Sequence, residues 1–130
     1  MTERGTLVNG LEVQAVARRE GSGIRVVLWA EPSELTRDYD RVFRADLDDY
    51  LLSAERGEHF GMTFPLTGAE AMMTGVTLRG LDGMAPRHSV TSEAGGSEHP
   101  WRIVYRSPIW QPAEVLLAGA GVALHVTVED

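Results

Sequence analysis

The fold is decided by residues 33–57, which have the sequence SELTRDYDRVFRADLDDYLLSAERG. At about 100° per residue, the apolar side chains of this stretch fall on one arc roughly 140° wide, as expected for a helix that faces a core. Ser33 can cap the first turn, and Gly57 is a natural stop after Arg56. The stretch therefore predicts one long helix from Ser33 to Arg56. The residues of the apolar arc are Leu35, Tyr39, Val42, Phe43, Leu47, Tyr50 and Ala54.

Before and after this helix, apolar and polar residues alternate, which is the pattern of half-buried strands. Asn9-Gly10 predicts a hairpin turn, because both positions must accept a positive φ. In the strand that ends at Ala30, Val27 and Trp29 make the second face apolar as well, which predicts a central position. Residues 113–118 fit either a short helix or part of a hairpin. Strands are predicted at 11–18, 24–30, 60–66, 71–79, 101–105 and 122–128.

Short connections between these strands favour antiparallel pairing, because parallel neighbours need a longer crossover. The predicted fold class is α+β, with a mainly antiparallel sheet of about six strands and one long helix packed across one face. The alternative is an all-β sandwich or barrel, which requires a strand around Phe43, Ala45 and Leu47. That strand would leave Leu51 and Leu52 unexplained, so the helix is favoured.

The length of 130 residues predicts a single domain over 1–130. From Gly80 to Pro100 the chain is rich in glycine, serine and polar residues and has no periodicity. This predicts a flexible loop at 81–100, and loops of this length are usually functional or disordered.

Composition narrows the classes of partner. The formal net charge is -7, which disfavours nucleic acid and anionic membranes. The basic residues are all arginine and are scattered along the chain, a usage typical of a GC-rich bacterial genome. The first ten residues lack the apolar run of a signal peptide, and there is no membrane-spanning stretch, which predicts a cytoplasmic location.

Few residues suggest chemistry. Asp46 lies near the middle of the helix's apolar arc, so its carboxylate is expected at the core edge, paired or with a shifted pKa. Asp46, His59 and Tyr105 are the candidate acids and bases. His88 and His99 share the long loop, but their spacing matches no metal motif, and there is no cysteine. No cofactor motif is present either.

The aromatic residues suggest binding instead. Trp110 lies between Pro108 and Pro112 in a predicted surface turn, and a tryptophan held in this way loses little freedom on binding. Trp101 and Tyr105 follow the loop and join it as candidate binding residues, together with His88 and His99.

Two functions are predicted from these patterns. The first is a non-enzymatic module that binds another protein, of which a basic protein that it neutralises is one concrete version, since complementary charge speeds encounter. The alternative is a small-molecule binder or cofactor-free isomerase or cyclase, with an apolar pocket lined by Phe60, Met62, Phe64 and Met72. The strand at 122–128 could also pair with a second copy as a homodimer.

Overall fold

The computed structural model of the chain describes residues 2–58, 61, 64–94 and 100–130. These residues form eight strands and two helices, and most of the secondary structure is sheet. In chain order the elements are β1 (Glu3–Thr6), β2 (Glu12–Glu20), β3 (Gly23–Ala30), α1 (Glu34–Glu55), α2 (Gly68–Met73), β4 (Thr77–Arg79), β5 (Ser89–Ala94), β6 (Trp101–Ser107), β7 (Glu114–Gly119) and β8 (Val122–Glu129).

The strands form one mixed sheet in the order β4-β7-β8-β2-β3-β6-β5, curled into a half-barrel. β1 pairs with the first half of β2 in a hairpin whose turn contains Asn9-Gly10, where Gly10 has a φ of 91°. β3 lies between β2 and β6, as its two apolar faces predict.

One expectation about the sheet is wrong, because the strands of the described residues number eight rather than about six. The sheet is mainly antiparallel, as expected, with one parallel pair in which β2 and β8 meet at Ala17 and Val128. The connection between these two parallel strands is the whole segment from β3 to β7, which is far longer than a parallel crossover requires. β8 is therefore an internal strand between β7 and β2.

The core fills the inner face of the half-barrel. Successive residues of each strand point to opposite faces, so one set of alternate residues is buried while the other faces outward. Ile24, Val26, Leu28 and Ala30 of β3 are all buried, and they meet the inward residues of β2, β6 and β8. α2 covers this face with Ala69, Met72 and Met73.

α1 confirms the predicted long helix at both ends. Ser33 is the N-cap, and its side-chain oxygen accepts a hydrogen bond from Thr36 N while Thr36 Oγ1 accepts one from Ser33 N. This reciprocal pair satisfies backbone groups that have no partner inside the helix. Arg56 is the C-cap, and Gly57 follows with a φ of 70°. Neither described helix has the length and apolarity needed to cross a lipid bilayer.

The expected packing of α1 across the sheet is wrong. Its first turns contact the core through Leu35 and Tyr39, and Thr36 is the one buried residue that the structure describes in the helix. The apolar arc does face inward, but beyond Tyr39 it is only half-buried, and Val42 is exposed. The ring of Tyr50 contacts the ring of Phe64, with 5.1 Å between the ring centroids. Among the described residues, α1 is therefore anchored at one end only.

The region after α1 also differs from the prediction. Of the strand expected at 60–66, residues 64–66 are not extended in a strand, and Phe60 and Met62 lie outside the described residues. The strand expected at 71–79 is replaced by α2 and the shorter β4. The cause is local: Thr67 Oγ1 accepts a hydrogen bond from Glu70 N at 3.1 Å, so Thr67 and Glu70 act as a helix start of the S/T-x-x-E type.

The stretch expected as a loop at 81–100 contains a strand. β5 pairs with β6 over its whole length, from Ser89 with Arg106 to Ala94 with Trp101. Its serine, threonine and glutamate residues give little apolar alternation, because it is an edge strand held mainly by backbone hydrogen bonds to β6. Residues 113–118, which fit a helix or a hairpin, belong to the β7–β8 hairpin.

Candidate functional site

Trp101 and Tyr105, two of the expected binding residues, lie inside the core. Both are 1% exposed and point to the inner face of β6. Trp101 Nε1 donates to Asp40 of α1 at 3.2 Å, and its ring meets Tyr39 edge-on at 6.1 Å. Trp101 therefore anchors the start of α1 to the sheet and has no surface to offer a partner.

Tyr105 is a structural hydroxyl in this core. Its Oη donates to the backbone oxygen of Val76 at 2.8 Å. Burial raises the pKa of Tyr105 to about 12 from its ordinary value of 10.0. The phenol therefore keeps its proton at neutral pH and cannot act there as a general base.

Of the candidate acids and bases, Asp46 and Tyr105 are not brought together. Asp46 is exposed on α1, so the expectation that it points to the core edge is wrong, and its carboxylate needs no buried partner. Tyr105 lies in the core on β6, away from this part of the helix. His59 and His99 lie outside the described residues. The described part of the chain holds no group of three or more histidine, aspartate or glutamate side chains that could bind a metal.

His88 lies half-buried just before β5. Its Nδ1 is 2.7 Å from the backbone oxygen of Pro86, and because a carbonyl can only accept, Nδ1 donates its proton there. This leaves Nε2 as the ring atom available to another group. His88 borders a pocket of about 540 Å³ that Arg87, Ser89 and Arg106 also line.

Trp110 lies at a cleft of about 620 Å³, here called the Trp110 cleft, on the surface beyond the end of β6. The indole is half-buried and packs against the core on one side. Around it stand three apolar side chains with large exposed fractions: Leu81 (58%), Met84 (72%) and Ile109 (86%). A half-buried tryptophan with exposed apolar neighbours is the arrangement found at binding hot spots.

The loop that presents two of these side chains is held by hydrogen bonds at both ends. Gly80 N donates to Met84 O at 2.9 Å, and Gly83 N donates to Gly80 O at 2.9 Å. Asp82 Oδ1 accepts from Met84 N, and Arg79 donates to Gly83 O. Leu81 and Met84 are therefore displayed by a defined turn, which lowers the conformational entropy lost when a partner binds.

Acidic groups border the Trp110 cleft. Asp82 and Glu114 line it together with one cation, Arg87. Glu114 is 3.5 Å from the exposed ring of His125 on β8. The acidic half of α1, which carries Asp46, Asp48, Asp49 and Glu55, is not part of this surface. α1 meets β6 at Trp101, whereas the Trp110 cleft lies past Ser107 at the opposite end of that strand, about 20 Å away at 3.3 Å per residue.

Sequence reasoning identified Trp110 but missed its neighbours. Pro108 and Pro112 marked the turn, whereas Leu81 and Met84 lie almost thirty residues earlier along the chain. The signal that could have found them is the presence of two large apolar residues in a Gly-rich segment, where a solvated loop does not need them.

Comparison of the chain with protein-family models, with curated proteins and with solved structures gives no match. The fold and the site therefore define only a structural class, an α+β half-barrel with an exposed aromatic cleft. Evidence for the function comes from the residues of this chain alone.

Proposed function

We propose that the protein is a non-enzymatic module that binds another protein at the Trp110 cleft. The observation that carries the proposal is the set of exposed apolar side chains around Trp110. Leaving Leu81, Met84 and Ile109 in water has a free-energy cost that a docked partner removes, at roughly 25 cal/mol for each Å² of apolar surface that it covers.

The order of the cleft supports the same function. Hydrogen bonds hold the turn from Gly80 to Met84, and Trp110 N donates to Ser22 O at 3.2 Å, which fixes the other wall. A partner would bind a surface that already has its bound shape. Methionine at the rim adds a side chain that can adapt to the partner's contours.

Charge supports a basic partner. The net charge of -7 attracts a cationic protein at long range, and Asp82 and Glu114 at the cleft provide local acceptors for its lysines or arginines. We therefore infer that the partner carries a basic surface around an apolar anchor, as a neutralised basic protein would.

The alternative, a small-molecule isomerase or cyclase, has less support. Such an enzyme needs an acid or base beside an apolar cavity. Tyr105 lines a pocket of about 330 Å³ together with His88, but its hydroxyl proton is donated to Val76 O, and Asp46 is exposed on α1. We favour protein binding for this reason.

The test compares three forms of the full chain in capture experiments on a bacterial lysate, followed by titration of each captured and purified protein. Ile109→Asp places a charge in the cleft and should abolish binding. Val8→Asp is the matched control, because Val8 is 84% exposed in a different turn. Binding by the wild type and Val8→Asp, weakened by high salt and lost in Ile109→Asp, is the expected result. If Ile109→Asp bound as tightly as the wild type, the Trp110 cleft would not be the binding site. If the affinity did not depend on salt concentration, the partner would not be a basic protein.

A further inference from the structure

Three arginines that are far apart in the sequence lie side by side on the outer face of the sheet. Arg18 of β2 is the Cα partner of Arg25 of β3, and Arg25 is the Cα partner of Arg106 of β6. Arg25 lies between the buried Ile24 and Val26 and points outward, and because cross-strand partners share a face of the sheet, Arg18 and Arg106 point outward as well. With neighbouring strands about 4.8 Å apart, the three charges form a row roughly 10 Å long, here called the arginine row.

This row is unfavourable for the sheet. Like charges directly opposite each other on neighbouring strands are destabilising. The two outer arginines have acidic neighbours: Arg18 is 4.0 Å from Glu129, and Arg106 is 3.4 Å from Glu20. Arg25, in the middle, has neither an ion pair nor a side-chain hydrogen bond to any residue that the structure describes, although it is half-buried. A guanidinium kept between two others without a counter-charge indicates that an anion from outside completes the site.

A pocket adjoins the row at Arg106. It has a volume of about 540 Å³, and Arg87, His88 and Ser89 line it together with Arg106 and Glu20. Ser89 is also the register partner of Arg106 on β5. The arginine row thus continues into a concave region with a further guanidinium and a hydroxyl, both of which can donate hydrogen bonds to an anion.

We propose that the arginine row and this pocket bind a small oligophosphate, with Arg25 and Arg106 as its main ligands. Planar guanidinium groups donate paired hydrogen bonds to phosphate oxygens, and a row of them matches a ligand whose charges are spaced along a chain. Its phosphate groups would replace the missing counter-charge at Arg25 and compete with Glu20 for Arg106.

Ionic screening selects a small ligand over a nucleic acid. At physiological salt the Debye length is about 8 Å, so an oligophosphate in the row senses the arginines together with Glu20 and Glu129 beside them, and little of the charge further away. A nucleic-acid strand would extend past the row over a molecule whose net charge is -7. Three arginines that are far apart in the sequence therefore lie together in the folded sheet. The area that they cover matches a short anion rather than a nucleic-acid strand.

The first experiment titrates the full chain with inorganic tripolyphosphate by calorimetry in a buffer free of phosphate. We expect saturable binding to the wild type and a loss of about tenfold or more in affinity for Arg25→Gln and for Arg106→Gln, since each removes a charged hydrogen-bond donor. Arg44→Gln is the matched control, because Arg44 is an exposed arginine on α1, and it should bind as the wild type does.

Two further measurements separate lost binding from lost folding. Without ligand, Arg25→Gln should raise the midpoint of thermal unfolding, because it relieves repulsion from Arg18 and Arg106. Glu20→Gln removes the carboxylate that competes for Arg106, and it should raise the affinity for tripolyphosphate about threefold.

A nucleoside triphosphate, titrated in parallel, distinguishes the source of the phosphate. Equal affinity for the two ligands would identify the phosphate chain alone as the ligand, and tighter binding of the nucleotide would add contacts to its nucleoside. Undiminished binding of tripolyphosphate by Arg25→Gln and Arg106→Gln would overturn the proposal. So would the absence of binding to the wild type, or binding confined to a single-stranded oligonucleotide.

Discussion

Two tryptophans near the two ends of β6 have opposite environments. Trp101, at the start of the strand, is 1% exposed, and its indole nitrogen donates to Asp40. Trp110, just past the end of the strand, is half-buried and stands among the exposed side chains of Leu81, Met84 and Ile109. The first tryptophan joins a helix to the sheet, whereas the second forms the wall of a cleft.

Residue type alone does not decide whether a tryptophan is buried in the core or partly exposed at the surface. Trp101, Ile103 and Tyr105 alternate along β6, and such alternation places all three on the inner face. Trp110 follows Pro108, which ends the strand, so no pleat directs its ring inward. The position of a residue within a strand decides whether its side chain enters the core. The enrichment of tryptophan at interfaces is informative only for residues that lie outside the strands.

The largest expected effect comes from truncating the core tryptophan. Trp101→Ala should lower the free energy of unfolding by about 3 to 5 kcal/mol, because it leaves a cavity and removes the contact with Tyr39 and Asp40. Trp110→Ala, which empties a half-exposed site, should cost roughly 1 to 2 kcal/mol. Urea denaturation followed by circular dichroism measures both. Equal losses of stability in the two variants would contradict the difference between the buried Trp101 and the half-buried Trp110.

The next effect concerns Tyr105, which lies between the two ends. Its pKa is about 12 in the folded chain and 10.0 when unperturbed. Between these values the unfolded chain loses the phenol proton while the folded chain keeps it, so the folded state binds more protons. The free energy of unfolding should therefore fall as pH rises from about 10 to 12, by about 2 to 3 kcal/mol in total.

Tyr105→Phe provides the control for this pH dependence. It should lose about 1 to 3 kcal/mol at neutral pH, because Val76 O is left without its donor. Its stability should then fall less steeply than that of the wild type above pH about 10. Parallel curves for the two proteins in urea denaturation at each pH would contradict the role of the buried phenol.

A smaller effect tests the anchor of α1. Asp40→Ala removes the acceptor of the Trp101 indole proton and should cost about 1 to 2 kcal/mol. Asp40→Asn keeps a side-chain oxygen in the same place and should cost less. Thermal unfolding of the two variants checks this order. If both variants were as stable as the wild type, Leu35 and Tyr39 alone would hold the helix.

The smallest effect is expected far from the anchor. Leu52→Gln should change the free energy of unfolding by less than about 0.5 kcal/mol, because Leu52 is 51% exposed on the second half of α1 and glutamine is a good helix former. Chemical denaturation measures the difference. A loss of several kcal/mol would show that this half of the helix packs as the core does.

The sequence predicts the elements that are stabilised by interactions between residues close together in the chain. α1 carries its own cap, periodicity and stop, so its ends could be assigned at Ser33 and Gly57. The core face of β3 could be assigned in the same way from Val26 and its alternating neighbours. α2 was also encoded locally, by Thr67 and Glu70, but the alternation from Met72 onward was interpreted as a strand.

What could not be predicted depends on pairing between distant residues. β5 has little apolar alternation, and its partner β6 supplies the hydrogen bonds that make it a strand. The arginine row needs the register of β2, β3 and β6, because Arg18 and Arg106 lie on either side of Arg25 only after the sheet forms. The Trp110 cleft was half predicted: its tryptophan has a local signal, and Leu81 and Met84 do not.

The internal position of β8 has a consequence for the kinetics of folding. β8 joins β7 to β2, so the sheet is continuous only when a segment near residue 128 has found one near residue 17. Closing so long a segment of chain is slow, since its entropy must be lost before any contact is gained. Until that closure the edges of β8 and β2 stay open to other chains, which makes self-association during refolding sensitive to protein concentration.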